Sequence, residues 1–175
     1  VVVVTDQGAV DLALLAFRVA IGAVMFAHGW NHVFRGGKIR GTAGWFASLG
    51  MKPGILHAWL ASLAELAAGV SLALGLLTPL GAAAVVGTMT VALVTNHRGN
   101  GFFIFRPGEG WEYVMTLVAA GVAIGVVGPG RWSLDDALDL FRPVPGSDGL
   151  WIVLAAGFGG AALLLSVFWR PQRGQ

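Results

Sequence analysis

Six ionisable side chains stand in stretches that are otherwise strongly apolar: Arg18, His28, His32, Glu65, His97 and Glu112. Such groups are costly in hydrocarbon, so each needs a partner or a wet cavity. His28 and His32 have the i, i+4 spacing of metal ligands, which Glu65, His97 or Glu112 could complete. Two Glu-x-x-His motifs, the pattern of a diiron bundle, are absent from the sequence. Two histidines from different helices could clasp a haem, but nothing else in the chain asks for one. A quinone head group needs less: one or two hydrogen-bonding side chains near the membrane edge, with aromatic or apolar walls. His28, Glu65, Trp30 and Phe102-Phe103 would supply that, with His97 and Glu112 close by. The plainer alternative is a buried His–Glu–Arg network that fixes helix register, with Arg18 and Glu65 as its ion pair. Ordinary behaviour favours that network first, a quinone or other small ligand second, and metal or haem last.

The elements that hold these residues read as five membrane spans. They run from about Leu12 to Phe34, His57 to Leu77, Leu80 to Asn96, Trp111 to Val127, and Leu150 to Trp169. No charge occurs between Glu65 and Arg98, an interval of 32 residues, and Thr78-Pro79 divides it into two crossings. The first span is too long for a removable signal and lacks a basic leader. Arg18, Ile21, Met25, His28 and His32 fall on one stripe of span 1, which must face the bundle. Span 2 shows a small-residue stripe around Glu65, and span 4 a stripe of Glu112, Thr116, Ala119 and Ala123. Residues 41–51 read as a surface helix with Trp45, Phe46 and Leu49 on one side. Ser133-Leu-Asp-Asp136 reads as an N-cap opening a helix. There Leu134, Ala137, Leu138 and Phe141 would pack, Asp135, Asp136 and Asp139 would face water, and Pro143 and Pro145 would close it.

Alternating topology brings the ends of spans 1 and 3 and the starts of spans 2 and 4 to one membrane face. His28, His32, Asn96, His97, Glu109 and Glu112 therefore gather near one side. By helical rise, Glu65 lies roughly 12 Å below that face and His28 about 9 Å, which makes His28 the natural partner of Glu65. Outside Arg18, eight basic residues fall on this face and two on the other. The positive-inside rule then puts the N-terminus outside and the C-terminus in the cytoplasm. The chain opens on Val1, consistent with a missing N-terminal piece, and a basic extension there would reverse the assignment.

Composition sets the bounds. Charged residues make up 11% of 175, against ~25% in a soluble domain, and the mean hydropathy is +0.75. So few charges cannot cover a soluble globule, and no basic patch offers itself to nucleic acid. With no cysteine, the chain has no disulfide, no thiol chemistry and no cysteine-bound cluster.

Several short motifs in order resemble the DoxX family. Arg18-x-x-x-Gly22 followed by Phe26-Ala-His28-Gly29-Trp30-Asn31 looks like its first helix, and Gly41-Thr-Ala-Gly-Trp-Phe46 with Leu49-Gly-Met51 like the segment after it. Glu65 with Gly69 and Leu74-Gly75-Leu76-Leu77-Thr78-Pro79 is similar to the second helix and turn. His97-Arg-Gly-Asn-Gly-Phe-Phe103, Glu112 and Gly128-Pro-Gly-Arg-Trp-Ser-Leu-Asp135 continue the match, which covers roughly residues 12–140. Members commonly carry Lys where this chain has His32, so a cationic role there becomes pH-dependent. The resemblance implies a bacterial inner-membrane protein with a four-helix core, linked to thiosulfate:quinone oxidoreductases and to assemblies handling thiol or oxidative stress.

The expected organisation is thus an all-α polytopic membrane bundle. Residues 1–140 form a four-helix core with two interfacial helices, and 141–175 a linker and a fifth membrane helix. The expected role is an accessory subunit of a redox assembly rather than an enzyme on its own, with the bilayer and other membrane subunits as partners. A scaffold without redox function, docking through Gly157, Gly159 and Gly160 of the fifth span, is the alternative, and a transporter a third.

Overall fold

The computed structural model describes residues 6–140 and 146–171. Its regular elements among these residues are all helices, joined by turns and loops, with one isolated antiparallel bridge between Met51 and Trp169. Helix α1 is Gln7–Phe34, opened by the Asp6 carboxylate, which accepts from the amides of Gly8 and Ala9. Helix α2, Lys38–Ser48, is the short helix read between spans 1 and 2. Helix α3 is Gly54–Leu74 and ends on Gly75 in the left-handed conformation. Helix α4, Thr78–Ala92, begins with Pro79 in its first turn and runs into a π-helical turn, Leu93–His97. Helix α5 is Glu112–Val127 and α6 a single turn, Leu134–Ala137. Helix α7, Gly146–Ile152, continues through a π-helical stretch, Val153–Gly159, into α8, Gly160–Phe168.

Among the described residues, four helices are long and apolar enough to cross a bilayer: Gln7–Phe34, Gly54–Leu74, Thr78–His97 and Asp148–Phe168. Glu112–Val127 is a shorter apolar helix. The molecule is a multi-pass helical membrane protein.

Helices α1 and α3 lie closest. A Cβ placed on Gly22 would come 2.7 Å from the Gly69 carbonyl oxygen, so only glycine admits this approach. Glycine, not the polar stripe, sets the α1 face: Asp11, Arg18, Gly22, Met25 and Gly29 are buried, with His28 and His32 on its flank. Helix α4 packs on α3, on α5 and on the fifth membrane helix, and Met25, Leu72, Val85, Val86, Val114, Ile124 and Val153 form the central core. The inward face of α5 is Val114, Leu117, Gly121 and Ile124, whereas the expected Thr116, Ala119 and Ala123 face outward. The Thr116 hydroxyl donates to its own helix at Glu112 O, so it needs no neighbour. Gly121 of α5 lies over Val86 and the Ala82 carbonyl, where a larger residue would clash.

Two readings near α6 are corrected. Asp135 faces inward, not toward water, and is fully buried. Its carboxylate accepts from the Leu77 and Thr78 amides at 2.7 and 2.8 Å, capping the start of α4. Leu134 and Leu138, expected to pack, are exposed instead. Phe141, Pro143 and Pro145 lie outside the described residues. The C-terminal end of α8 returns to the α2–α3 connection: the Trp169 indole donates to Leu49 O at 3.0 Å, and the Arg170 amide to Gly50 O at 2.9 Å.

Candidate functional site

A cavity of about 440 Å³ opens where α1, α2, α3, α4 and the fifth membrane helix converge. Its size is that of a small-molecule site. His28 and His32 come to it from α1, Trp45 and Phe46 from α2, His57 and Glu65 from α3, Thr88 and His97 from α4 and its π turn, and Tyr113 from α5. The remaining walls are largely Ala, Gly and Leu, and no Lys or Arg lines them.

Glu65 is 4% exposed and its nearest charge partner is His32, with Nδ1 at 3.1 Å from Oε2. The sequence pointed to His28. The difference follows from the lean of helical side chains toward the helix N-terminus. In the antiparallel pair, Glu65 leans toward the face where α1 ends and His32 leans back into the bilayer, so they meet one turn beyond His28. At 3.1 Å the two atoms are off the line of a hydrogen bond, and both stay buried without one. A group bound in the cavity could accept from one and donate to the other.

His97 is held from several sides. Its Nδ1 is 2.8 Å from the Glu109 carbonyl, which can only accept, so Nδ1 carries the proton. Nε2 is then an acceptor, with the Tyr113 hydroxyl at 3.1 Å and Asn96 Nδ2 at 3.2 Å. The His28 ring lies parallel to that of Tyr113 at 6.3 Å. The π-helical turn at Leu93–His97 presents His97 to this cluster, and such turns recur at functional sites. His57 is 2% exposed with Nε2 unpartnered, beside the Phe168 ring at 5.0 Å.

Of the ligand candidates, His28, Glu65 and His97 share the cavity wall, whereas Trp30, Phe103 and Glu112 do not. Trp30 is exposed on the outer side of α1, its ring centroid 4.2 Å from that of Phe34. Phe103 lies in the exposed segment after His97, stacked on Phe105. The Glu112 carboxylate accepts from the Ile104 amide at 3.2 Å and so secures that segment. The sequence reading missed Tyr113 and His57. Tyr113 is the chain's single tyrosine and adjoins Glu112, so composition could have drawn attention to it. Among the described residues, no three His, Asp or Glu side chains converge as a metal ligand set.

Arg18 belongs to the opposite end of the bundle and does not pair with Glu65. It is fully buried and donates to Leu72 O at 2.9 Å and to Trp132 O at 2.7 Å, near Asp135. Arg131 also binds the buried Asp11 there, Nε to Oδ2 at 2.6 Å, while its amide donates to Oδ1 at 3.1 Å. Arg18, the Gly75 turn and the Gly128–Asp135 segment thus form one structural lock. Gly157, expected on a docking surface, is buried against Val86 of α4.

Comparison with curated proteins and with solved structures finds no match for this sequence. The DoxX family model matches residues 13–98, from within α1 to the residue after His97. Those residues carry Arg18, the Gly75 turn and most of the cavity wall, and over them the chain is a DoxX family membrane protein.

Proposed function

We propose that this chain is an accessory, non-catalytic subunit of a bacterial membrane oxidoreductase assembly, which meets a quinone head group in the cavity of His28, His32, Glu65 and His97. The observation that carries this reading is the offset His32–Glu65 pair, two buried polar atoms with unmet hydrogen bonds in a mostly apolar chamber. A quinone carbonyl would accept from the histidine, and a quinol hydroxyl would donate to the carboxylate. Interconverting the two takes two electrons and two protons. A chain without cysteine brings no cluster or thiol of its own to this exchange, so the electrons come from a partner subunit. The excess of Lys and Arg at the α2 face supports an inner-membrane placement with the N-terminus outside and the C-terminus cytoplasmic.

Purification from native membranes tests the reading. Quinone and a redox-active partner should accompany the protein. A preparation that is homogeneous, folded and free of both would overturn it.

A further inference from the structure

The cavity does not end at its polar residues. It continues as a groove lined by Leu60, Ala61 and Ala64 of α3 and, farther across the bilayer, by Thr88, Ala84 and Leu80 of α4, with Ala156, Gly160 and Leu164 of the fifth membrane helix along its rim. On α4 and its π turn the lining runs from Leu80 to Asn96, about 24 Å at 1.5 Å per residue, most of the way across a bilayer. Leu60, Leu80, Ala156 and Gly160 are exposed, so the groove is open sideways to lipid. At its polar end stand the unpartnered Nε2 of His57 and the offset pair of His32 and Glu65, all buried. Two π-helical stretches contribute to it: Leu93–His97 beside the polar cluster, and Val153–Gly159, which supplies Ala156 to the rim.

We infer that this groove seats the polyisoprenyl tail of the quinone, and that the fifth membrane helix, beyond the residues matched by the family model, supplies one of its walls. The inference rests on the quinone reading above and adds where the tail lies and what selects it. Charge chooses the ligand class. A phospholipid phosphate would sit beside the Glu65 carboxylate with no Lys or Arg among the lining residues, whereas a neutral quinone head meets hydrogen-bonding groups only. Small residues on α4 and α8, Ala84, Gly87 and Gly160 among them, keep bulky side chains out of the groove.

Gly160 gives a clean test. A Cβ there meets nothing within 4 Å, so Gly160→Leu fills the groove without disturbing the bundle, and Ala156→Leu, at an exposed lining position one turn away, narrows the same groove. Binding is measured in lipid nanodiscs with two probes, a tail-free benzoquinone and the same head on a polyisoprenyl tail. Thermal unfolding checks that each variant is folded. Both probes should bind the wild type. In folded Gly160→Leu and Ala156→Leu, affinity for the tailed probe should fall roughly tenfold, the scale of an overpacked contact, while the tail-free probe binds as before. Unchanged binding of both probes in both variants overturns the tail groove and leaves the head site standing. Failure of the wild type to bind the tail-free probe removes the head site, and the groove inference with it. Displacement of the tailed probe by added phospholipid would make the groove a general lipid seam and overturn the inference.

Discussion

Buried Glu65 and buried Arg18 lie on helices that face each other, yet each solves its desolvation alone. Arg18 does so with backbone: two carbonyls accept from its guanidinium at the end where Asp135 caps α4. Arg18→Leu should lose those bonds and leave Asp135 buried without its nearby cation, a loss of about 3 kcal/mol in an unfolding titration. Arg18→Lys should recover only part of it, because an ammonium cannot span two carbonyls as a planar fork does. Glu65 rests instead on His32, an uncharged partner unless protonated. Removing the carboxylate therefore takes a charge partner from a polar ring rather than from a fixed charge and puts an apolar side chain beside it, and Glu65→Leu should cost about 1–3 kcal/mol. Glu65→Gln should fold and assemble normally, since the amide keeps the shape of the carboxylate and can still accept a hydrogen bond. That variant isolates proton transfer: turnover of the assembled complex falling ~100-fold would assign a proton to Glu65, and unchanged turnover would confine it to positioning. At this scale the sequence disclosed which residues were anomalous but not their partners. Helix depth brought His28 level with Glu65, and the opposite lean of antiparallel side chains moved the contact to His32.

Helices show the same division between what pattern reveals and what packing decides. The spans were legible from apolar length and from Pro79, and the α1–α3 pairing from glycine and alanine beside the polar groups. What misled was polarity taken as a guide to the inward face. On α5 the hydroxyl of Thr116 is satisfied by its own helix, so glycine and branched apolar residues turn inward instead. On α6 an aspartate turns inward because two amides at the start of α4 have no other acceptor there. Such tertiary needs leave no periodic trace. Close approach on α1 makes a sharper prediction. Gly22→Leu forces a side chain into the Gly69 carbonyl, so α1 must move away from α3. The expected loss is about 1–3 kcal/mol in thermal unfolding, together with loss of quinone binding, because His32 is carried away from Glu65. Gly41→Ala makes the control, since a Cβ there meets nothing within 4 Å and both readouts should hold.

For the whole molecule, the fifth membrane helix is part of the structure rather than an appendage. Val153 and Gly157 are buried against α5 and α4, and Trp169 and Arg170 fasten its end to the α2–α3 connection. A truncation at residue 149 would therefore open the core and the cavity together, and could not isolate a docking role. The same fastening fixes a topology that can be checked directly. Hydrogen bonds join the end of α8 to Leu49 and Gly50, so the α2 side and the end of α8 share one membrane face; α6, bonded to the α3–α4 turn, is on the other. Because the chain has no cysteine, single-cysteine variants report position without background. Ser48 and Ala137 are both exposed, one on each face. If basic residues set the orientation, a membrane-impermeant maleimide should label Ala137→Cys in intact spheroplasts and Ser48→Cys only after the membrane is opened. The reverse pattern would place the C-terminus outside. It would also put the polar end of the cavity at the outer surface, where the proposed redox partner would have to be extracytoplasmic.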